Sequence, residues 1–245
     1  MNQARHDFLK SKMNHFWKSD TNSLEKLAGD ASTRCYYRST CHEKSAVVMD
    51  RQESYEPGTD PYTLITEYLE KRSIPVPSIY DASPDDGVMI LEDLGDRSLQ
   101  DCYLKNRCDT MQVLYGQVLD VLASMHRIET TGGGKSRLPA FKMRFDYEKL
   151  MWELDFFNTH YVAGHRKHTL SAREKKVQDQ VFQAICSTLD HEKPLVFTHR
   201  DFHCRNIMVR EDKIFLIDFQ DARLGLPEYD LASLLRDAYV KLPET

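Results

Sequence analysis

Residues 198–221 read Thr-His-Arg-Asp-Phe-His-Cys-Arg-Asn-Ile-Met-Val-Arg-Glu-Asp-Lys-Ile-Phe-Leu-Ile-Asp-Phe-Gln-Asp. Two short apolar runs, Ile207–Val209 and Ile214–Ile217, flank a polar tetrad. This pattern predicts two strands joined by a tight hairpin. A hairpin this short brings both of its ends to one edge, so the residues before the first strand and after the second are predicted to converge.

Three polar side chains occupy these ends. Asp201 and Asn206 lie in the loop before the first strand, and Asp218 follows the second. Phosphoryl transfer needs such a set, because a carboxylate must face the attacking hydroxyl while an Asn and an Asp hold magnesium on the nucleotide phosphates. Alternatively, these residues only cap local backbone, as Asp often does. The spacing His-x-Asp-x-x-x-x-Asn from His199, followed by Ile-Asp-Phe, favours an ATP-dependent kinase.

Composition excludes several classes of function. The 245 residues allow one large domain or two small ones, and 41% hydrophobic with 29% charged residues is ordinary for a globular protein. A net charge of −5 argues against nucleic acid as the main partner, since binding to a phosphate backbone favours a basic surface. No apolar stretch approaches the roughly 20 residues of a membrane helix, and the N-terminus has no apolar signal core. We therefore expect a cytoplasmic protein with reduced cysteines and no membrane partner.

The first part of the chain predicts a small sheet with helices. Helical patterns cover residues 5–18 and 61–72, and Val88–Leu91 reads as a buried strand. Small residues in Gly29–Arg38 indicate a turn that enters a strand, with Ala46–Met49 as the next strand. The turn is either a loop that covers phosphates or an ordinary hairpin.

Three apolar stripes predict helices in the second part of the chain, and each stripe is expected to face the core. Their members are Met111, Leu114, Val118, Val121, Leu122 and Met125; Leu150, Met151, Leu154, Phe157 and Tyr161; and Val177, Val181, Ile185 and Leu189. The second helix also offers polar side chains, among them Arg144 and Glu153, for a sugar pocket. The alternative is a solvated helix face. Arg205 is expected to meet phosphate or sugar, or else to pair with Asp221.

Five motifs together resemble the aminoglycoside/choline phosphotransferase family. They are Gly29–Ser32, Leu91–Gly95, His199–Asn206, Ile217–Ala222 and Tyr229–Asp237. The resemblance spans nearly the whole chain and is closest to the cell-wall-recycling branch, the anomeric kinases of N-acetylmuramate and N-acetylglucosamine.

The resemblance implies a fold and a set of site residues. The fold is an α+β, two-lobed, protein-kinase-like structure with an antiparallel β-sheet N-lobe, residues 1–91, and a mainly helical C-lobe, residues 92–245. Asp201 would be the catalytic base, while Asn206 and Asp218 would hold Mg²⁺. The nucleotide would meet Ala31, Ser32, Thr33 and Arg34, together with backbone groups of Glu92 and Leu94. His199 and Asp230 would support the catalytic loop.

Two features depart from the pattern. Met49 stands where most kinases carry the lysine that binds the ATP phosphates, and Arg34 or Arg38 are the candidates to replace it. Members of the branch continue for several more helices beyond the position of Thr245, so we expect the C-terminal helices of the acceptor wall to be missing.

The sequence therefore predicts an enzyme that uses ATP and Mg²⁺ to phosphorylate a small-molecule sugar, at the anomeric hydroxyl of N-acetylmuramate or N-acetylglucosamine. One alternative keeps the chemistry and changes the acceptor to an aminoglycoside or amino alcohol. Another is a truncated, ATP-binding pseudo-enzyme. The oligomeric state stays open.

Overall fold

A computed structural model of the protein describes residues 3–27, 34–105, 108–130 and 138–243. The chain forms two compact units, each built from two stretches of sequence. The first comprises Met1–Gln117 and Arg205–Ile217, and the second comprises Val118–Cys204 and Asp218–Thr245. The lobe boundary after residue 91 stays a prediction.

An antiparallel sheet of five strands dominates the first unit. Its strands are β1 (Ser23–Lys26), β2 (Cys35–Cys41), β3 (Lys44–Asp50), β4 (Ile79–Ser83) and β5 (Val88–Glu92). They lie in the order β1-β2-β3-β5-β4. Val48 pairs with Tyr37 on one side and with Ile90 on the other, so β3 occupies the centre. The antiparallel sheet predicted for this part of the chain is confirmed.

Two helices accompany this sheet, and both were predicted from the sequence. Helix α1 (Gln3–Trp17) places Leu9 and Met13, which are fully buried, against the apolar face of the sheet. Helix α2 (Pro61–Glu70) begins with proline, and the Asp60 side chain accepts the N–H of the third helical residue. Both features are typical of helix starts.

The predicted hairpin is present in the first unit, with a shorter turn than the sequence suggested. Strands β7 (Ile207–Arg210) and β8 (Lys213–Leu216) take in the outer members of the polar tetrad and leave Glu211 and Asp212 as the turn. These two residues have φ angles of 51° and 57°. Positive φ at both central positions is the requirement of a type I′ turn, whose twist matches that of the strands. Helix α3 (Leu99–Leu104) contacts β7.

The second unit is mainly helical. Helix α4 (Cys108–His126) crosses from the first unit into the second. The other helices are α5 (Tyr147–Phe157), which continues as a π-helical segment (Asn158–His165), α6 (Ala172–His191) and α7 (Pro227–Leu235). Strand β6 (Val196–Thr198) pairs with β9 (Arg223–Gly225), and Thr198 lies opposite Arg223. This pairing holds the start of the loop that follows β6 beside the chain that leads into α7.

The predicted core stripe is right for α4, wrong for α6 and only partly right on the α5 side, where Leu150, Met151 and Leu154 are half-buried. In α4, Leu114, Val118, Leu122 and Met125 are buried. On α6, by contrast, the predicted stripe is 37–53% exposed, and the buried residue of that helix is Cys186. On the α5 side, Phe157 and Tyr161 are also exposed. The 3.6-residue period identified apolar faces correctly, but a period cannot say which face a neighbouring element covers.

Among the described residues, no helix combines the length and the apolar character needed to cross a membrane. The cysteines Cys35, Cys41, Cys102, Cys186 and Cys204 are free thiols.

Candidate active site

A buried carboxylate accepts hydrogen bonds from the backbone of the loop that follows β6. Asp230 on α7 is fully buried, and its two oxygens accept the backbone N–H groups of His199 (2.7 Å) and Arg200 (3.0 Å). Burial raises the pKa of Asp230 to about 6, although the two hydrogen bonds act in the opposite direction. This contact fixes the backbone immediately before Asp201.

Asp201 lies among charges of both signs in the second unit. Burial raises its pKa, and the negative charges of Asp218 and Asp221 act in the same direction, while Arg200 and His203 oppose them. A carboxylate with a raised pKa accepts a proton more readily near neutral pH, as a general base must.

Backbone strain is concentrated around this loop. Arg200 has a φ of 84° and Asp218 a φ of 64°, in the left-handed region that non-glycine residues rarely adopt. Such conformations cost about 1–3 kcal/mol each and cluster at functional sites, where the surrounding structure holds them. The Arg200 guanidinium extends towards Asp221, 3.5 Å from its Oδ2 atom.

Asp218 is exposed and offers a carboxylate oxygen for a metal ion. Gln220 donates a hydrogen bond to its Oδ1 atom at 2.6 Å, and Oδ2 has no hydrogen-bond partner among the described residues. Among all the residues that the structure describes, no group of three or more His, Cys, Asp and Glu side chains could hold a metal ion by itself. Magnesium at kinase sites takes one or two protein oxygens together with substrate phosphates and waters, so Asp218 fits that role.

Asn206 lies one residue before β7, in the first unit. Its carbonyl oxygen accepts the backbone N–H of Ile217 at 3.0 Å, which closes the open end of the hairpin. Asp218 is the next residue along the chain.

A second group of polar side chains lies on α5 and α7. The Glu153 carboxylate is 3.5 Å from the Lys149 ammonium and accepts a hydrogen bond from the Tyr229 hydroxyl at 3.3 Å. Burial raises the pKa of Tyr229, and the charges of Glu153 and Asp201 raise it further. The Lys149 ammonium also lies over the Trp152 ring, 3.7 Å from its centroid. Of the residues predicted for the acceptor, Glu153 is thus near the loop that follows β6, since Tyr229 interacts with both Glu153 and Asp201.

Two basic residues near the loop were missed by sequence reasoning, namely Lys149 and Arg223. Arg223 on β9 packs over the Phe145 ring at 5.2 Å, and Phe145 stacks on Tyr229 at 4.1 Å. Burial lowers the pKa of both Lys149 and Arg223, and the positive charge of Arg200 lowers both further. Neither residue belongs to a motif, so the sequence carried no signal for them.

The other two residues predicted for the acceptor have partners elsewhere. Arg144 forms an ion pair with Asp190 at the end of α6, with a separation of 3.3 Å. Arg205 donates from Nε to Gln100 at 3.0 Å, within the first unit. Asp221 lies 3.5 Å from the Arg200 guanidinium, and the alternative pair of Arg205 with Asp221 stays a prediction.

Part of the predicted nucleotide site lies outside the described residues, namely Ala31, Ser32 and Thr33. Arg34 stands directly before β2. The N–H of Glu92 donates to the Ser78 carbonyl at 2.8 Å, so it is not available to a nucleotide base. The N–H of Leu94 has no partner among the described residues.

The residues near the missing lysine position are committed to other contacts. Met49 is fully buried. Arg38 makes two hydrogen bonds to the Asp93 carboxylate, at 2.7 and 3.0 Å, and two more to Asp96. Burial would raise the pKa of Asp93, but the Arg38 guanidinium and the Gly95 N–H lower it. Arg38 therefore holds the turn after β5 and is a poor candidate for a phosphate ligand.

Comparison with known proteins relates this arrangement to phosphotransferases. The model of the phosphotransferase enzyme family matches residues 23–245. The N-acetylmuramate/N-acetylglucosamine kinase of Pseudomonas aeruginosa is 32% identical over 225 residues, which cover 90% of this chain and 62% of that protein. The kinase of the same name from Neisseria meningitidis is 28% identical over 222 residues, with 90% and 63% covered. The chain thus spans less than two thirds of the length of these curated relatives.

Solved structures show the same fold. The ADP-bound aminoglycoside phosphotransferase APH(2'')-Ib superposes with a TM-score of 0.67 at 16% identity, over 98% of this chain and 78% of the other. An ethanolamine kinase of Plasmodium vivax superposes with a TM-score of 0.64 at 17% identity, over 98% and 69%. The predicted kinase-like α+β fold is confirmed.

Proposed function

Since the chain belongs to the phosphotransferase enzyme family, we propose that it transfers the γ-phosphate of ATP to a sugar hydroxyl. The acceptor we propose is the anomeric hydroxyl of N-acetylmuramate or N-acetylglucosamine. The names of the relatives from Pseudomonas aeruginosa and Neisseria meningitidis support this class of acceptor. We expect the enzyme to act in the cytoplasm.

The observation that carries the proposal is the state of Asp201. Its backbone is fixed by the buried carboxylate of Asp230, and its pKa is raised by burial and by Asp218. In this proposal Asp201 orients the sugar hydroxyl and accepts its proton as the phosphoryl group is transferred. Glu153 and Tyr229 supply hydrogen-bonding groups for the other hydroxyls of the sugar.

Asp218 and Asn206 are the proposed ligands of Mg²⁺. The free Oδ2 atom of Asp218 and the position of Asn206 one residue before β7 support these roles. The ion would neutralise charge on the nucleotide phosphates. For the adenine base, the unpaired N–H of Leu94 is a better candidate than Glu92, whose N–H is already used.

An aminoglycoside or amino-alcohol acceptor is less well supported. Such acceptors are cations and favour an acidic pocket. Here Lys149, Arg200 and Arg223 lie among the carboxylates, and the charge of Arg200 lowers the pKa of both Lys149 and Arg223. The loop around Asp201 argues against a pseudo-enzyme. Its strained backbone costs stability, and the structure gives no other reason to keep that strain.

The test is ADP release with Mg-ATP and a panel of N-acetylmuramate, N-acetylglucosamine, glucose, choline and kanamycin. We expect turnover on the two amino sugars. Asp201→Asn should reduce kcat by 10²- to 10⁴-fold, the usual contribution of a general base. Asp120→Asn, the same change at an exposed position on α4, is the matched control and should leave turnover unchanged. Bound ATP without turnover on any acceptor would contradict the proposal.

A further inference from the structure

The cations beside the catalytic loop are not evenly paired. Glu153 lies 3.5 Å from Lys149, and Asp221 lies 3.5 Å from Arg200. The charge of Arg223 interacts with the charges of Glu153, Asp221 and Arg200. Two of the three cations thus have a carboxylate partner, and the third remains to be explained.

Arg223 has no carboxylate partner among the residues that the structure describes. It is only 9% exposed, and its one hydrogen bond runs from Nε to the Asp221 carbonyl oxygen at 3.3 Å. The flat face of the guanidinium packs on Phe145. The two η nitrogens have no acceptor among the residues that the structure describes, and neither is fully buried. A charge on a side chain that is this buried keeps little of its hydration, which is costly unless an anion replaces the lost water.

A guanidinium stays protonated at any physiological pH, so it cannot relieve this cost by losing its proton. Burial and the neighbouring Arg200 lower the pKa of Arg223, and the negative charges of Asp221 and Glu153 offset this only in part. The planar fork of two η nitrogens matches the two oxygens of a carboxylate. The missing partner is thus an anion with that geometry.

The position of Arg223 indicates which reactant supplies the anion. The guanidinium packs on Phe145, which stacks on Tyr229, and the Tyr229 hydroxyl donates to Glu153. This series of contacts connects Arg223 to Tyr229 and Glu153, the side chains that we assign to the acceptor. None of these contacts involves Asp218, which we assign to the metal and the nucleotide.

We propose that Arg223 binds the carboxylate of an acidic sugar acceptor and so sets the preference for an acidic over a neutral amino sugar. This inference rests on the proposed function. N-acetylmuramate carries such a carboxylate on its lactyl ether, and N-acetylglucosamine is the same sugar without that group. The two acceptors in the names of the relatives therefore differ by the group that Arg223 recognises.

The test compares three acceptors that differ at one group, namely N-acetylmuramate, its methyl ester and N-acetylglucosamine. The wild-type chain is expected to favour N-acetylmuramate over the ester by about 10- to 100-fold in kcat/KM, the usual effect of a hydrogen bond to a charged group. Arg223→Gln should abolish this ratio, because the loss of kcat/KM should be larger on N-acetylmuramate than on its methyl ester. Arg223→Lys keeps the charge without the fork and should retain part of the ratio. Arg173→Gln, at an exposed position on α6, is the matched control.

Other outcomes would overturn the inference. A wild-type chain that treats the acid and its ester alike would do so, and this comparison needs no variant to fold. Equal losses on all three acceptors would make Arg223 a structural residue. An unchanged ratio with a raised KM for Mg-ATP would assign the guanidinium to the transferred phosphate.

Binding measured by calorimetry separates this inference from the proposed function. Should N-acetylmuramate bind the wild-type chain more tightly than the ester, and Arg223→Gln remove the difference, the inference stands even without turnover. If both sugars are turned over but the ratio of kcat/KM between N-acetylmuramate and its ester is the same in Arg223→Gln as in the wild-type chain, the proposed function stands and the inference is overturned.

Discussion

Asp201 and the carboxylates around it share one electrostatic environment, and Asp221 is the member that can be changed without touching the proposed reaction. The negative charge of Asp221 raises the pKa of Asp201 and also draws the Arg200 guanidinium towards itself. Removing that charge therefore lowers the pKa of Asp201 in two ways, directly and by releasing Arg200.

We expect Asp221→Asn to shift the acidic limb of the kcat/KM profile to lower pH. A base acts in its deprotonated form, so a lower pKa keeps Asp201 active in more acidic solution. The measurement is kcat/KM for the sugar from pH 5 to 8, with Asp120→Asn as the control. A limb that stays in place, or moves to higher pH, would contradict the assignment of Asp201 as the base.

Asp230 predicts a pH dependence of stability. Its pKa is about 6 in the folded protein against an ordinary value of 3.8, so the folded state binds the proton more tightly. Its contribution to stability is thus present below pH 4 and lost as pH rises through about 6. Asp230→Asn cannot titrate. We expect the free energy of unfolding of wild type minus that of the variant to fall between pH 4 and 7, by on the order of 2 kcal/mol.

Urea unfolding at several pH values measures this difference, provided that both proteins unfold in two states. A difference that is constant with pH, or that grows as pH rises, would show that Asp230 is ionised throughout. The same variant should lose activity, because an amide offers one acceptor to the two N–H groups of His199 and Arg200.

Single residues differed in how far the sequence could place them. Asp201, Asn206 and Asp218 are marked by fixed spacing, and Asp230 by its own motif. Arg223 and Lys149 are close to the loop only because β9 pairs with β6 and because α5 carries Glu153 beside Tyr229. Contacts between distant segments leave no local pattern, so these cations could not be predicted.

At the level of elements, the turn between β7 and β8 contains a strained backbone conformation that a substitution could relieve. Glu211 adopts a φ of 51°, and a side chain other than Asn, Asp or Gly pays for this conformation. We expect Glu211→Asn to raise the free energy of unfolding by about 0.5–1 kcal/mol, since Asn is favoured at this position of a type I′ turn. Glu211→Ala removes the same carboxylate without the preference and is the matched control. Equal stabilities for the two variants would rule out this explanation.

Helix α6 shows that periodicity predicts a helix but does not predict which of its faces is buried. Its apolar stripe at Val177, Val181, Ile185 and Leu189 was predicted to be core and is exposed. The contacts with α5 include a reciprocal pair of side-chain hydrogen bonds between Asn158 and Gln178, at 2.9 Å each. Helix formation depends on local sequence, whereas burial depends on what packs against the helix, and only the first can be read from one chain.

On the scale of the whole molecule, the two units interrupt each other in sequence. The hairpin Arg205–Ile217 belongs to the first unit, although the residues on both sides of it belong to the second. The sequence predicted the hairpin and the helices but not this division, because membership of a unit depends on long-range contacts. The hairpin therefore carries Asn206 into the first unit and returns the chain to Asp218 in the second.

Binding of Mg-ATP should stabilise the folded chain, because a ligand that binds only the folded state raises the unfolding temperature. At 100 times the dissociation constant the gain is about 2.7 kcal/mol, which for a chain of this size is a shift of roughly 5–10 °C. If Asp218 holds the metal, EDTA should remove most of the shift, since the phosphates would then face this carboxylate without a cation between them. Asp218→Asn should show the same small shift with and without EDTA, while Asp120→Asn should behave as wild type. A shift that EDTA leaves unchanged in the wild-type chain would exclude Mg²⁺ from nucleotide binding, whatever the identity of the acceptor.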